Sequence, residues 1–457
     1  MKSPLSQIEI VSYIKSKEWD VRVSREGFLQ SKAICIAAEV QPIKLTKNIT
    51  VQFLDECWVG DLNLYDEKAC KSFLPYFEKA FIEDKNWPLE IIKSFEKITK
   101  EKDTLINELK KNKKRTTQEK KVIIKKYENA LLSFQKYYAI AVTFGNYCEE
   151  QIRNQGEEEF LKTHSIPYTT LDMNKYHNSI RLLKTKKENI KAKKEHLEKF
   201  AWIKTSYNVI EPHTLEELEN ELKESKKDSK IKTPKLNSVP KNILPYVQGL
   251  QVSIFMRNRM KEMGQQVWFA FDKMAIELAS ELNLTREDFF QLLIDEVIDS
   301  LDAKKSIISD QQINERKNGF INCQLDGKEV LLTGAIVKEL VEYYSPKAIE
   351  STSFVKGTVA CKGNVSGIAQ VILSSKELGS FKEGNILITT MTTPDYIVVL
   401  KKAKAIVTNE GGITCHAAIV SRELNIPCII GTKNATIVFK NGDKISVDTD
   451  KGIVKKI

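Results

Sequence analysis

The chain has 457 residues, 42% hydrophobic and 29% charged, with a formal net charge of +10. That balance describes a soluble globular protein of about two or three domains, each long enough to bury a core, and excludes disordered and fibrous classes. No apolar run reaches the length of a membrane helix, residues 1–6 lack a signal-peptide core, and the eight cysteines show no Cys-x-x-Cys spacing. The expectation is a cytoplasmic protein with reduced, mostly buried thiols and neither a zinc site nor a disulfide framework.

Residues 1–90 mix strand-like stretches at 19–23, 33–38 and 49–54, and predict a small α+β module without a nucleotide-binding loop. Residues 91–344 read as a helical domain. Residues 89–126 predict a long exposed helix or helical hairpin, and 97–126 hold most of the basic surplus. A surplus confined to one helical stretch reads first as a solvated face, then as a docking surface for an acidic partner, and only last as a nucleic-acid site. Residues 127–152 are more apolar, with Leu131, Leu132, Phe134, Tyr138, Val142 and Cys148 on a core face. Residues 180–202 predict another long basic helix. Residues 223–240, rich in Lys, Ser and Pro, predict a loop.

Residues 244–282 repeat apolar side chains at helical spacing. Thr285 is placed to cap a second helix, with Asp288 at the capping-box position. Residues 320–332 read as a hairpin around Asp326-Gly327, and 334–344 as a short helix. Residues 345–356 are the expected hinge, polar over most of their length and holding Pro346.

The last domain, 357–457, opens on a glycine-rich phrase, and strands are expected at 369–373, 385–390, 403–407 and 428–430. Thr393 with Pro394 predicts a helix start after the second of these. Glu410-Gly411-Gly412 predicts a turn that uses glycine's freedom in φ. Thr414 then reads as N-cap of a helix over 415–424, which Asn425 and Pro427 close. His416 would sit in the first helical turn, where free N–H groups and the helix dipole favour an anion. A neutral imidazole there is a nucleophile whose phosphorylated form is stabilised.

The string from Gly411 to Pro427, Gly-Gly-x-Thr-Cys-His-Ala-Ala-Ile-x-x-Arg-Glu-Leu-x-Ile-Pro, resembles the phosphohistidine motif of phosphoenolpyruvate synthase, pyruvate phosphate dikinase and rifampicin phosphotransferase. Ser421 stands where those relatives usually carry alanine. The resemblance spans 357–457 and implies a β/β/α swivelling domain. The whole chain then reads as a multidomain α+β protein, mainly helical before that domain. The resemblance implies that His416 is the covalent phosphoryl carrier and that Gly411, Gly412, Thr414 and Cys415 shape its loop. It brings Thr393 and Asp395 near His416, although capping alone explains both. Arg422, about 240° round the helix from His416, fits docking or packing better than the phosphate.

Arg257 and Arg259, with residues 284–292 and 295–296, resemble the segment before the histidine domain of rifampicin phosphotransferase. Either arginine is thus a candidate for acceptor binding, with a surface ion pair as the alternative. Trp202 lies in a phrase, 196–203, that resembles a His…Trp-Ile stretch in the relatives' helical domain; core packing is its alternative.

More than half of the 19 glycines lie in the last domain, and no phosphate-cradling loop stands upstream. The relatives' ATP-grasp domain is therefore not expected here, and neither is their C-terminal pyruvate barrel, since the sequence stops at Ile457. No metal and no tightly bound cofactor is expected in this chain; the resemblance puts ATP and Mg²⁺ on an ATP-grasp protein acting in trans. The expected function is a phosphotransferase subunit delivering a phosphoryl group from His416 to a small-molecule acceptor. Pyruvate, an amide, a sugar or an antibiotic-like hydroxyl all fit. The alternative is a phosphohistidine-based regulatory or partner-binding module without small-molecule catalysis.

Overall fold

The computed structural model describes residues 7–16, 19–23, 43–44, 50–51, 56–59, 62–66, 74–84 and 87–457, except 158–159, 162–163, 166, 168–170, 186–188, 206–209, 225–235, 326–327, 345–352, 374, 393–395 and 414. Helix α1 (Gln7–Ser16) and strands β1 (Trp19–Val23), β2 (Ile43–Lys44), β3 (Thr50–Val51), β4 (Glu56–Val59) and β5 (Leu62–Asp66) come first. Then come α2 (Leu74–Glu83), α3 (Trp87–Leu109), α4 (Thr117–Asn154), α5 (Asp172–Thr185), α6 (Ile190–Phe200), α7 (Leu215–Glu224), α8 (Leu244–Glu281), α9 (Arg286–Phe289), α10 (Ile294–Ala303) and α11 (Asp310–Lys317). The hairpin β6 (Phe320–Leu325) and β7 (Lys328–Thr333) leads to α12 (Ala335–Tyr344).

That hairpin does not belong with the helices. Strand β6 pairs antiparallel with β4 through Val59↔Ile321 and Cys57↔Cys323, which gives one five-stranded sheet in the order β1-β5-β4-β6-β7. Ile10 and Ile14 of α1 pack with Ile321, Val337 and Leu340. The first module is therefore built from both ends of the first 344 residues, and the expected boundary of 91–344 for the helical domain is too wide. Cys323 is disulfide-bonded, which corrects the expectation that every cysteine is reduced. The strand expected at 33–38 lies outside the described residues.

Helices α4 and α8, each 38 residues long, form the spine of the middle region. They run antiparallel: Tyr127 stacks on Phe271 at 3.9 Å towards one end, and Tyr147 meets Tyr246 edge-on at 6.1 Å towards the other. Between these contacts the backbones come close. Ser253 Oγ donates to the Ala141 carbonyl at 2.5 Å, and a Cβ on Gly145 would collide with that hydroxyl. The expected hairpin over 89–126 is present as α3 and the start of α4. Thr116 caps α4: its Oγ1 accepts from the Glu119 N–H at 3.2 Å, and Glu119 Oε2 accepts from the Thr116 N–H at 2.9 Å.

Two expected helices are each broken in two. The stretch 180–202 is split because Asn189 Oδ1 accepts from the Ala192 N–H at 3.0 Å and starts α6 afresh. Thr285 caps α9 as expected, accepting from the Asp288 N–H at 3.1 Å, but α9 ends at Phe289. Glu296 accepts from the Leu293 N–H at 2.8 Å to open α10, and Arg316 grips that carboxylate at 2.7 and 2.8 Å.

The last domain contains β8 (Phe354–Lys356), β9 (Thr358–Cys361), β10 (Val365–Val371), β11 (Ile386–Thr389), α13 (Ile397–Leu400), β12 (Ala405–Thr408), α14 (His416–Leu424), β13 (Cys428–Ile430), α15 (Ala435–Val438), β14 (Lys444–Asp448) and β15 (Ile453–Lys456). Its eight-stranded sheet has the order β8-β15-β14-β10-β11-β12-β13-β9. Strands β10 to β13 are parallel, and β11, β12 and β13 are buried on both faces, as parallel strands between layers are. Strand β8 pairs with β15, so the domain begins three residues before the expected boundary and 354–356 is sheet. The rest of the expected hinge, apart from Ser353, lies outside the described residues. The chain is thus helical through its middle, with a mixed sheet domain at its C-terminal end.

A separate apolar cluster joins α5, α6 and α7 through Tyr176, Ile180, Leu183, Phe200, Trp202, Ile203 and Leu218. His196 and His213 are buried within it, their rings 6.3 Å apart, with Tyr176 between them at 5.1 and 5.9 Å. Ser179 holds His196 Nδ1 at 2.8 Å. Burial, then His213 and Lys199, bring the His196 pKa down to about 4. Burial also lowers that of His213, against the pull of Glu221 and Glu217. A folded pKa below the unfolded value means that the unfolded chain binds more protons, so this contribution to stability is present at neutral pH and lost on acidification. We expect the melting temperature to fall as pH drops from 6.5 towards 4. A His196→Phe/His213→Phe chain, read by thermal circular dichroism, should show a flatter fall; an unchanged slope would exclude these rings as the cause.

Candidate phosphohistidine site

Strand β12 delivers the site. Thr408 Oγ1 donates to the Glu410 carbonyl at 2.6 Å, and the buried Asn409 side chain pairs with Thr436 at 2.6 and 3.0 Å, fixing the start of the loop. Gly411 has φ +114, and a Cβ there would lie 2.7 Å from Cys415 Sγ. Both facts require glycine. Gly412 has no such φ, and a Cβ on it would have only ordinary contacts. The expectation that the Gly-Gly pair needs free φ thus holds at its first member.

Cys415, not Thr414, is the N-cap of α14. It is extended, at φ −70 and ψ 164, and its Sγ accepts from the Ala418 N–H at 3.4 Å. Thr414 itself lies outside the described residues. Burial pushes the Cys415 thiol up, so it stays a neutral cap. Asn425 ends the helix in the left-handed region, φ 53, and the Ile426 N–H returns to the Ser421 carbonyl at 2.9 Å. The buried Ser421 hydroxyl donates to the Ala418 carbonyl at 3.0 Å, which absorbs the one polar departure from the motif.

His416 is the first helical residue, half-buried, with Nδ1 2.9 Å from Thr392 Oγ1. With Nδ1–H donating to that hydroxyl, the lone pair is on Nε2. Thr392 is buried and lies beyond β11. Sequence reasoning chose its neighbours Thr393 and Asp395, which lie outside the described residues, as does the helix start expected there. Nothing local separates Thr392 from Thr393; only the pairing of β11 with β12 does.

Arg422 is half-buried beneath the loop. Among the described residues its Nη1 and Nη2 have no hydrogen-bond partner, and it lies within electrostatic reach of Cys415, Cys428, Cys361 and Glu149. Glu149, on α4, was not anticipated. Its Oε2 and Oε1 are 3.7 and 3.9 Å from where a Cβ on Gly412 would be. Arg257, on α8, lies close enough to Cys415 to act on its thiol. One apolar cluster also runs from Phe144 and Tyr147 to Ile413, Ala417 and Val420. The loop therefore faces the α4/α8 pair.

Two candidates are elsewhere. Arg259 binds Asp172 at 2.5 Å and Glu262 at 3.5 Å. Burial opposes the Asp172 charge, but Arg259, Lys175 and Gln266 outweigh it and hold that carboxyl well below its usual range. Trp202 is 6% exposed, donates to the Lys199 carbonyl at 3.1 Å, and packs in the α5–α7 cluster. Among the described residues no group of three or more His, Cys, Asp or Glu could hold a metal ion, and no helix is long and apolar enough to cross a membrane.

Residues 381–452 match the family described as PEP-utilising enzyme, mobile domain. The probable phosphoenolpyruvate synthase of Archaeoglobus fulgidus is 54% identical over 117 residues, 26% of this chain and 15% of that protein. The phosphoenolpyruvate synthase of Pyrococcus furiosus is 44% identical over 135 residues, 29% of this chain and 16% of that protein. A crystal structure of Thermococcus kodakaraensis aconitase X aligns at 24% identity, over 23% of this chain and 99% of that one, with a TM-score of only 0.19. The C-terminal part of the chain is thus similar to the PEP-utilising enzyme mobile domain and to the matching part of phosphoenolpyruvate synthases. The chain spans about a sixth of the length of the curated relatives it matches.

Two outcomes follow from this geometry. Gly411→Ala should abolish phosphorylation of His416, whereas Gly412→Ala should leave most of it, as scored by acid-labile label; equal loss in both would contradict the backbone geometry. Thr392→Val should slow labelling by up to about tenfold, the worth of one hydrogen bond, and Thr392→Ser should restore it. A valine variant labelled at the wild-type rate would leave Thr392 without a role.

Proposed function

We propose that the chain is a phosphotransferase subunit in which Nε2 of His416 carries a phosphoryl group. The observation that carries this reading is the imidazole at the N-terminus of α14, with Nδ1 engaged by Thr392, inside a PEP-utilising mobile domain. Attack by Nε2 on a phosphoryl donor forms an N–P bond as the donor's P–O bond breaks. The helix N-terminus stabilises the anion gained.

The donor site lies on another protein. Transfer from a nucleotide needs a metal and several donors around its phosphates, and an ATP-grasp partner holding ATP and Mg²⁺ in trans supplies them. The domain moves between that partner and the α4/α8 pair. There a small-molecule acceptor takes the phosphoryl group, with Arg257 of α8 close to the loop. The acceptor is of the phosphoenolpyruvate-synthase or rifampicin-phosphotransferase kind, a small molecule with an oxygen nucleophile.

The purified chain with ATP and Mg²⁺ alone should stay unlabelled, and addition of an ATP-grasp partner should label it. The label should be acid-labile and base-stable, as a phosphoramidate is, and absent from His416→Ala. Label that survives in His416→Ala removes the carrier assignment. Strong self-labelling by ATP would put a nucleotide site in this chain.

A further inference from the structure

Four described cysteines have free thiols, and three of them, Cys361, Cys415 and Cys428, lie within electrostatic reach of the Arg422 guanidinium. The three sulfurs act on it more strongly than Glu149 does. Two of these thiols are also paired by the sheet. Cys361 of β9 and Cys428 of β13 stand opposite each other in antiparallel strands. At the next step Ile429 faces Val359, so Ala360 is an extra residue in β9. Ala360, Cys361 and Cys428 all pack in the apolar cluster that holds Ala417 and Ala418 of α14, which puts both thiols on the helix-covered face. Opposed residues of antiparallel strands have Cα atoms about 4.5–5.5 Å apart, inside the range of about 4.4–6.8 Å that a disulfide spans. The two thiols differ in access. Cys428 is buried, whereas Cys361 is half-buried and open to a small oxidant. Burial pushes the Cys361 thiol up and Arg422 draws it back down, and a partly exposed thiol beside a guanidinium is a reactive one. Burial holds Cys428 as a neutral thiol, so it reacts second.

We propose that Cys361 and Cys428 are a redox-active pair that a hydroperoxide joins as a disulfide beneath α14, with Arg422 stabilising the Cys361 thiolate. This stands apart from the carrier reading and does not depend on it. The Cys361 thiolate attacks the peroxide, the O–O bond breaks, the sulfur becomes a sulfenic acid, and the rest of the peroxide leaves as its anion. The Cys428 sulfur then attacks the sulfenyl sulfur. The S–S bond forms, the S–O bond breaks, and the departing hydroxide takes the Cys428 proton as water. The two thiols lose two electrons in all, and a small thiol returns them by exchange. The bond also reaches α14. The Ser421 hydroxyl gives its proton to the Ala418 carbonyl at 3.0 Å and hydrogen-bonds Cys428 as well. The thiol is therefore the donor in that second contact, and the disulfide removes its proton.

The test uses the full chain and hydrogen peroxide. After treatment at neutral pH, remaining thiols are blocked and the chain is digested without reduction. Mass spectrometry should find the peptide holding Cys361 linked to the one holding Cys428, and dithiothreitol should separate them. Cys361→Ser should form no such bond. Cys428→Ser should stop at a sulfenic acid on Cys361, which dimedone traps. Arg422→Gln should form the bond about tenfold more slowly, the change in thiolate that one pKa unit gives, and Arg422→Lys should restore most of the rate. No link between Cys361 and Cys428 in wild type, a link from Cys415 to Cys428 in its place, or an undiminished rate in Arg422→Gln overturns the proposal. The cysteine variants decide it even where a change at Arg422 prevents folding.

Discussion

The site depends on one register. Strands β11 and β12 run parallel, with Thr389 opposite Thr408. Their C-terminal ends are therefore adjacent, and the segments that follow them leave the sheet side by side. One carries Thr392 and the other carries His416. The hydrogen bond between these two residues is a consequence of strand pairing as much as of either side chain. Backbone bonds lock the exit: the Asn409 N–H reaches the Thr389 carbonyl at 3.0 Å, and the Glu410 N–H reaches that of Thr390 at 2.9 Å. Ligand sites at the carboxyl ends of parallel strands are a general property of such sheets. Here the position is used to orient an imidazole.

A second constraint acts across domains. The histidine loop meets the helical spine through a few charged neighbours and one shared apolar cluster. Charges in a partly dry interface act more strongly than they do in water.

What could be read from the sequence divides along the same line. The turn, helix and closing Asn425 at the carrier loop are local, and each was legible from residue type. The cap was misplaced by one residue, because Thr414 is a better cap by type and the thiol of Cys415 is a weak acceptor that burial keeps neutral. Thr392 needs the sheet register, and Glu149 needs the docking of two domains, so neither was legible. The first module needs β4 to meet β6 across most of the chain, which is why its second half was assigned to the helices. Arg259 was singled out by resemblance, yet Asp172 and Glu262 engage it in the folded chain.

The basic stretch shows how composition misleads when partners are distant. Lys120 meets Glu281 of α8, Lys121 meets Asp302 of α10, Lys125 bridges Glu128 and Asp295, and Lys126 binds Glu108 of α3. The run of cations that looks unbalanced along the chain is matched in space by acids from three other helices. Exposed pairs of this kind contribute about 0–1 kcal/mol each, so they do little to hold the helices together. Their effect is to answer part of the local basic surplus within the fold. The charges beside the loop, Arg257, Arg422 and Glu149, come instead from residues that only the docking of the two regions brings together.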